Sequence, residues 1–302
     1  MRQLIVLGLV GLLAQLIDGS LGMAYGVTST TLLLAAGVGP AAASAAVHFS
    51  EIGTSLASGI SHHKFGNVDW KTVSILAAPG FVGAFAGATF LAGLSGHAAT
   101  PWVSGILLLL GAYVIWRFLA LGGRRPVFKG RPGAPLLVPV GLVGGALDSI
   151  GGGGWGPVGT TTLLSSGRLE PRKVVGSIDT SEFVVAVGGS LGFLFALGSS
   201  GIEWPIAAAL LVGGTIAAPF AAWLVKILPA RVLGVAAGGI IILTNVRTIA
   251  LALGASVTTV AVILAVLALV WAGLIAQVVR LQRRSRRAEA SREAEVEVAA
   301  GS

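Results

Sequence analysis

The chain contains no cysteine and very little charge. Without cysteine, the sequence excludes disulfides, thiolate metal sites and cysteine nucleophiles. Only 11% of its 302 residues are charged, whereas 55% are hydrophobic and the mean hydropathy is +0.90. Because a water-soluble domain needs more charge on its surface, this composition indicates an integral membrane protein.

The charge that is present is mostly basic, with a net charge of +8. Nucleic acid is not the expected partner, because the basic residues fall in loops and in the tail, where the positive-inside rule places them. The first 16 residues are apolar, but they lack a strongly basic start and an Ala-x-Ala-type cleavage site. We therefore interpret them as part of the mature chain and not as a signal peptide.

A polar, glycine-rich break interrupts the apolar sequence twice. The first is Asp18-Gly-Ser-Leu-Gly-Met-Ala-Tyr-Gly, and the second is Asp148-Ser-Ile-Gly-Gly-Gly-Gly-Trp-Gly. The segments before them, 4–17 and 136–147, are too short to cross a hydrocarbon core of about 30 Å at about 1.5 Å per residue. Each break therefore predicts a re-entrant hairpin of two short helices, with two thin spans as the alternative.

Longer apolar segments follow each break in the same order, and they predict spanning helices over 41–60, 72–94, 102–121, 174–197, 206–227, 232–253 and 257–279. The segment His48-Phe-Ser-Glu51 aligns with Asp179-Thr-Ser-Glu182, so the halves are repeats. The glycines at 80, 83 and 87 predict a packing seam.

Loop charges give the topology, because Lys and Arg favour the cytoplasmic side. Three spans and one hairpin per half make the two repeats inverted, with the N-terminus outside and the tail cytoplasmic. The tail is expected to be solvated and disordered. The predicted parts are a first transmembrane repeat over 1–121, a basic cytoplasmic linker over 122–135, a second repeat over 136–253, an extra transmembrane helix over 254–280 and a charged cytoplasmic tail over 281–302. The predicted fold is thus all-α.

The breaks are candidates for an anion site, because helix N-termini carry partial positive charge and bind anions without a cation. The candidate substrate-binding residues are Asp18, Gly19, Ser20, Gly22, Tyr25, Thr28, Ser29, Asp148, Ser149, Gly152, Gly153, Trp155, Thr160 and Thr161. Helix capping is the alternative role for the two aspartates.

Intramembrane ionisable side chains are candidates for coupling or gating, with interhelical hydrogen bonding as the alternative. They are His48, Glu51, Asp179 and Glu182. Adjacent loop histidines, His62 and His63, lack neighbouring carboxylates in sequence, and we predict no metal site and no cofactor. The expected partners are a small anion, the bilayer and protons as a candidate coupling ion. The sequence does not decide whether the chain forms a homo-oligomer.

Together, the two breaks and the Ser-Glu pair after each resemble the sulfite exporter TauE/SafE family over roughly residues 4–280. The first copy departs from the glycine-rich pattern at Ser20-Leu21. The resemblance implies a bacterial inner-membrane secondary transporter of sulfite, thiosulfate, sulfoacetate or related organosulfonates, and some members are similar to carboxylate carriers. The chain agrees in lacking a Walker-type nucleotide-binding sequence.

We therefore predict a secondary transporter that exports a small sulfur-containing anion and holds it at the membrane midplane. A carboxylate carrier, a passive anion channel and a metal-cation carrier are the alternatives within transport. The alternative from another class is an intramembrane serine hydrolase that uses Ser20 and His48. The second repeat has Asp179 where the histidine would stand, so we expect that the protein is not an enzyme.

Overall fold

The computed structural model describes residues 2–21, 25–120, 130–169, 171–224 and 230–300, and every regular element in these ranges is helical. The elements of the first half are α1 (Arg2–Leu21), α2 (Tyr25–Ala35), α3 (Pro40–Lys64), α4 (Trp70–Ala92) and α5 (Gly96–Ala120). The later elements are α6 (Ala134–Gly151), a π-helical turn (Gly156–Thr160), α7 (Thr161–Ser166), α8 (Pro171–Leu197), a 3-10 turn (Ser199–Gly201), α9 (Trp204–Leu224), α10 (Ala230–Ala252) and α11 (Val257–Ala300).

Five helical segments among the described residues are long and apolar enough to cross a membrane: Trp70–Ala92, Ala99–Trp116, Ala134–Gly151, Lys173–Leu197 and Val257–Gln282. The helix α3 is not among them, although its 25 residues are enough for a span. Its sequence carries serine, histidine and glutamate along its length. These polar residues lower its hydropathy, and several of them belong to the site described below.

The short helix predicted over 136–147 is wrong, because α6 runs for 18 residues through Asp148 to Gly151. An aspartate does not stop a helix by itself. The stop comes at Gly152, which adopts a left-handed conformation with φ of 68°. The Asp148 carbonyl accepts the Gly153 N–H at 2.9 Å, which closes the helix end. The break is therefore narrower than predicted, and α1 likewise extends beyond 4–17.

Helices from the two halves pack against each other through close backbone contacts. The predicted glycine seam of α4 is confirmed, since a Cβ at Gly83 or Gly87 would overlap the α6 backbone at Leu142 or Ala146. In the same way α1 packs on α9, where a Cβ at Gly11 would meet the backbone of Leu210. Further extensive contacts join α4 to α8, α5 to α10, and α3 to both α8 and α9.

The last helix differs from the others in its environment. Only 6% of the segment Val257–Gln282 is buried by protein, and its most extensive contacts are with α10. The Trp271 Nε1 donates a hydrogen bond to the Val235 carbonyl at 2.9 Å. The expected disorder of the tail is wrong, because α11 continues to Ala300. The tail is rich in Ala, Glu and Arg, which are strong helix formers.

Candidate functional site

The two glycine-rich breaks lie in direct contact with each other. A Cβ at Gly153 would overlap the backbone of Gly26 and Val27, and a Cβ at Gly26 would meet the Gly152 carbonyl. Thr30, on α2, donates a hydrogen bond from Oγ1 to the Gly152 carbonyl at 3.0 Å. Only residues without a Cβ allow the two backbones to approach so closely, which explains the glycines at this crossing.

The two aspartates cap the short helices that follow the breaks. Asp148 Oδ1 accepts hydrogen bonds from the Gly154 N–H at 2.7 Å and the Trp155 N–H at 2.9 Å. Asp18 Oδ1 accepts from the Tyr25 N–H at 3.1 Å. Each carboxylate therefore reaches from the end of one helix to the start of the next, and the capping interpretation is confirmed. A coupling role for the two aspartates stays a prediction.

Beside the second break lies a fully buried polar cluster of His48, Glu51 and Asp148. His48 Nδ1 lies 2.9 Å from the Ser44 carbonyl, and it must carry the hydrogen because a carbonyl oxygen only accepts. His48 Nε2 lies 3.1 Å from Ser149 Oγ and 3.4 Å from Asp148 Oδ2. Glu51 Oε2 and Asp148 Oδ2 have no hydrogen-bond partner.

This cluster is also the one group, among the described residues, that could hold a metal ion. One ligand atom from each of His48, Glu51 and Asp148 lies within 4.8 Å of the others. The absence of a metal from the working protein remains a prediction. The cluster does not form a hydrolase triad, because Ser149 and Asp148 face the same nitrogen of His48.

The polar side chains of α3 continue beyond Glu51 toward the end of the helix. Ser55 Oγ donates to Glu182 Oε2 at 3.3 Å, and Ser58 Oγ donates to Asp179 Oδ2 at 3.0 Å. His62 Nε2 pairs with the same Asp179 oxygen at 3.1 Å. The acidic side chains of α8 are thus all engaged by α3.

Two adjoining pockets lie along these groups. The first holds about 230 Å³, including solvent at its mouth, and is lined by Gln15, Asp18, Tyr25, Glu51, Thr54, Ser55, Ser58, Asp179 and Glu182. The second holds about 170 Å³ by the same measure and is lined by Tyr25, Gly26, Val27, Asp148, Gly153, Gly156, Pro157 and Glu182. The second pocket therefore touches the first turn of both short helices, and Tyr25 and Glu182 line both pockets.

The polar atoms of both predicted aromatic residues are bonded within the protein. Tyr25 lines both pockets, whereas Trp155 lines neither and belongs to an apolar core cluster. Tyr25 OH hydrogen-bonds Ser50 Oγ at 3.0 Å and donates to the Leu210 carbonyl at 3.3 Å. Trp155 Nε1 donates to the Ile178 carbonyl at 3.1 Å.

The predicted hydroxyl donors differ among themselves. Thr28 Oγ1 and Ser29 Oγ are buried without a hydrogen-bond partner. Thr161 Oγ1 donates to the Pro157 carbonyl within the π-helical turn, and Thr160 is fully buried. Gly22 lies outside the described residues, and Gly19 and Ser20 are described only as helical positions.

Several site residues were not predicted, although a periodic signal for them is present in the sequence. Gln15, Ser55, Ser58 and His62 lie in or beside the first pocket. The last three follow Glu51 at helical spacing, which a search for helical periodicity in polar residues would have found.

A separate polar contact ties the linker to the beginning of α4. Arg131 Nε lies 2.7 Å from Asp69 Oδ2, and Thr72 donates to Asp69 Oδ1 from both its backbone and its hydroxyl at 2.9 Å. Burial alone would raise the pKa of Asp69, but these hydrogen bonds and the guanidinium hold it below its ordinary value. Ser177 Oγ, on α8, accepts the Asp69 N–H at 2.9 Å, so this contact also joins α4 to α8.

Comparison with known proteins agrees with this architecture. The family model for the sulfite exporter TauE/SafE matches residues 7–248. The chain is similar to the probable membrane transporter protein YtnM of Bacillus subtilis (strain 168), at 54% identity over 253 residues, which cover 82% of this chain and 83% of that protein. No solved structure matches the chain. The chain belongs to the TauE/SafE sulfite exporter family, and it is a membrane transporter and not an enzyme.

Proposed function

We propose that this protein is a secondary transporter that exports small sulfur-containing anions, such as sulfite, sulfoacetate or other organosulfonates, across the inner membrane. The observation that carries the proposal is the second pocket, which is lined by the first turns of both short helices. The first N–H groups of a helix have no partner within that helix, and the helix dipole makes this end attractive to an anion.

The lining of this pocket supports an anion held by backbone dipoles. No Lys or Arg is among the described residues that line either pocket. Asp18 and Asp148 already cap the earliest N–H groups, so they fix the two helix starts in place. A sulfite or sulfonate group, with three acceptor oxygens, suits a concave site that presents several N–H donors from two directions.

The same pocket includes the carboxyl groups of Asp148 and Glu182, which would repel an anion when they are ionised. We therefore include protons in the proposal, because a carboxyl group that binds a proton no longer opposes the anion. Glu51, Asp179 and His48 are the remaining members of the proposed coupling set. Proton chains of this kind are a recurrent use of ionisable residues inside membranes.

The helix pairing supports inverted repeats with alternating access. The first helix of each half packs on the penultimate long helix of the other half, as α1 does on α9 and α6 does on α4. Rocking of one repeat against the other would then expose the pocket to either side. The basic linker and tail lie in the cytoplasm under this proposal, and the N-terminus lies outside.

Uptake into proteoliposomes of the purified protein tests this function. Labelled sulfite, sulfoacetate and a small dicarboxylate are compared with and without a pH gradient. Saturable transport of a sulfur anion is expected, and Asp148→Asn should abolish it, because the variant keeps an oxygen that accepts the capping N–H groups but can no longer bind and release the coupled proton. Glu203→Gln, at an exposed position before α9, is the control.

Three outcomes would contradict the proposal. Transport of the dicarboxylate alone would make the chain a carboxylate carrier. Flux that does not saturate with concentration would make it a passive channel. Transport by Asp148→Asn at the wild-type rate would mean that the anion site does not lie at the crossing of the two breaks.

A further inference from the structure

A stripe of polar side chains follows one face of α3 along most of its length. Successive members are separated by four, three, four, three and four residues, which keeps them on one helical face. At about 1.5 Å per residue, the 18 residue steps from the first member to the last extend over about 27 Å, close to the thickness of a bilayer core. The members are Ser44, His48, Glu51, Ser55, Ser58 and His62.

The second half of this stripe faces acidic groups on other helices. From α8, Glu182 accepts from Ser55, and Asp179 accepts from Ser58 and pairs with His62. From α1, Asp18 lines the same pocket and interacts electrostatically with Asp179 and His62. The described groups facing this end of the stripe are therefore three carboxylates, with His62 as the basic group among them.

The accessibility of these groups changes along the stripe. The side chain of His62 is 24% exposed and that of Asp179 is 12% exposed. Glu51, at the other end of the pocket, is 2% exposed, and its Oε2 has no hydrogen-bond partner. The pocket reaches from Asp179, which contacts the partly exposed imidazole of His62, to the buried Glu51, whose Oε2 lacks a partner.

We infer that His62 and Asp179 form the proton-exchange end of a relay that connects the aqueous side at the end of α3 with the anion pocket. The inference rests on the proposed function, and it adds the route and the side of proton exchange. In the exchange step, the O–H bond of a protonated Asp179 breaks and an N–H bond forms at His62 Nε2. The imidazolium then releases one proton to water, and no oxidation or reduction is involved.

Inside the pocket, Asp18 and Glu182 are the next groups able to receive the proton, and Glu182 also lines the anion pocket. Ser55 holds the Glu182 carboxyl group in position through its hydrogen bond, and Ser58 does the same for Asp179. The side of exchange is the side of the connection between α3 and α4. Lys64 at the end of α3 and Lys71 at the start of α4 flank this connection, and the positive-inside rule assigns it to the cytoplasm.

The neighbouring residue His63 provides a matched control. It is exposed, and its ring packs against Trp70 at a centroid distance of 5.4 Å, away from the acidic pocket. His62→Ala and His63→Ala therefore remove the same chemical group from adjacent positions, and only the first removes a partner of Asp179.

The experiment uses proteoliposomes of the full chain with sulfite or sulfoacetate and an internal pH dye. Anion-driven proton movement is measured together with exchange of labelled for unlabelled anion, which needs no net proton movement. We expect His62→Ala to lower proton movement by about tenfold or more, as for loss of a proton-transfer group. Exchange should stay within about twofold of the wild type, because the anion pocket is intact. His63→Ala should leave both unchanged.

Added imidazole separates a proton-transfer role from a structural one. It should restore proton movement in His62→Ala, whereas a damaged structure would not respond. The inference is overturned if His62→Ala moves as many protons per anion as the wild type. It is also overturned if His62→Ala loses both anion exchange and proton movement and added imidazole does not restore them. The proposed function fails separately if the wild-type protein neither transports nor exchanges a sulfur anion.

Discussion

The crossing of the two breaks can be tested by adding one methyl group at Gly153. A Cβ there would overlap the backbone of Gly26 and Val27, and backbone atoms cannot rotate away as the end of a side chain can. Forcing extra atoms into a packed interior typically costs about 1–3 kcal/mol. Since the obstruction is backbone, we expect Gly153→Ala to reach the upper end, about 3 kcal/mol, or about a 150-fold change in an equilibrium constant.

The matched control is Gly105→Ala in α5, where an added Cβ meets no atom within 4 Å. That change should be neutral or stabilising by up to about 1 kcal/mol, because alanine is the better helix former. Thermal unfolding of both purified variants in the same detergent, followed by anion uptake, is the assay. Equal stability and equal uptake in the two variants would refute the account of the crossing.

Three further predictions concern individual polar contacts. Thr30→Val leaves the buried Gly152 carbonyl without its donor and should lower the free energy of unfolding by about 1–3 kcal/mol. Thr28→Val removes a hydroxyl that has no partner and should leave stability unchanged. Equal unfolding temperatures for the two variants would contradict this expectation. Since the pKa of Asp69 is lowered in the folded protein, its contribution is present above its unfolded pKa of about 3.9 and is lost as pH falls through the folded pKa. The difference in unfolding free energy between wild type and Asp69→Asn, measured against pH, should shrink in that acidic range. Arg131→Ala should cost at most about 1 kcal/mol, because the arginine side chain is 61% exposed.

Composition and repetition were enough to predict the membrane class, the helical fold and the position of both breaks. Their signals are local, since glycine runs and apolar lengths can be read directly from neighbouring residues. The seam of Gly83 and Gly87 was predicted for the same reason, although its partner, α6, could not be named.

The errors came from features that depend on tertiary contacts. The sequence pattern predicts that the second break starts at Asp148, but this residue remains helical and its side chain caps the next helix. The sequence places His62 beside His63 alone, whereas its acidic partner Asp179 lies more than 100 residues away in the chain. The spacing of polar residues on α3 was visible in the sequence, but it gained meaning only when the facing helix was known.

The contact between the halves also brings groups of opposite charge together in the second pocket. Helix starts supply partial positive charge, while Asp148 and Glu182 supply acidic groups at the same place. An anion can occupy this pocket favourably when the acidic groups are neutral. Binding of the anion and binding of protons are then linked, so each should raise the affinity for the other.

Binding of sulfoacetate to Glu182→Gln tests the central claim most directly. Glutamine keeps an oxygen that can accept a hydrogen bond from Ser55, and it removes only the charge of this one side chain, which lines both pockets. A unit charge about 5 Å from the bound anion opposes binding by roughly 3 kcal/mol at an effective dielectric constant of about 20, or about 150-fold in affinity.

The affinity is measured by calorimetry across the neutral pH range, where the charge of sulfoacetate does not change, with Glu203→Gln as the exposed control. The account predicts that Glu182→Gln binds sulfoacetate more tightly at the alkaline end and with a weaker dependence on pH than the wild type. An affinity and a pH dependence equal to those of the wild type would contradict an anion site between the two helix starts.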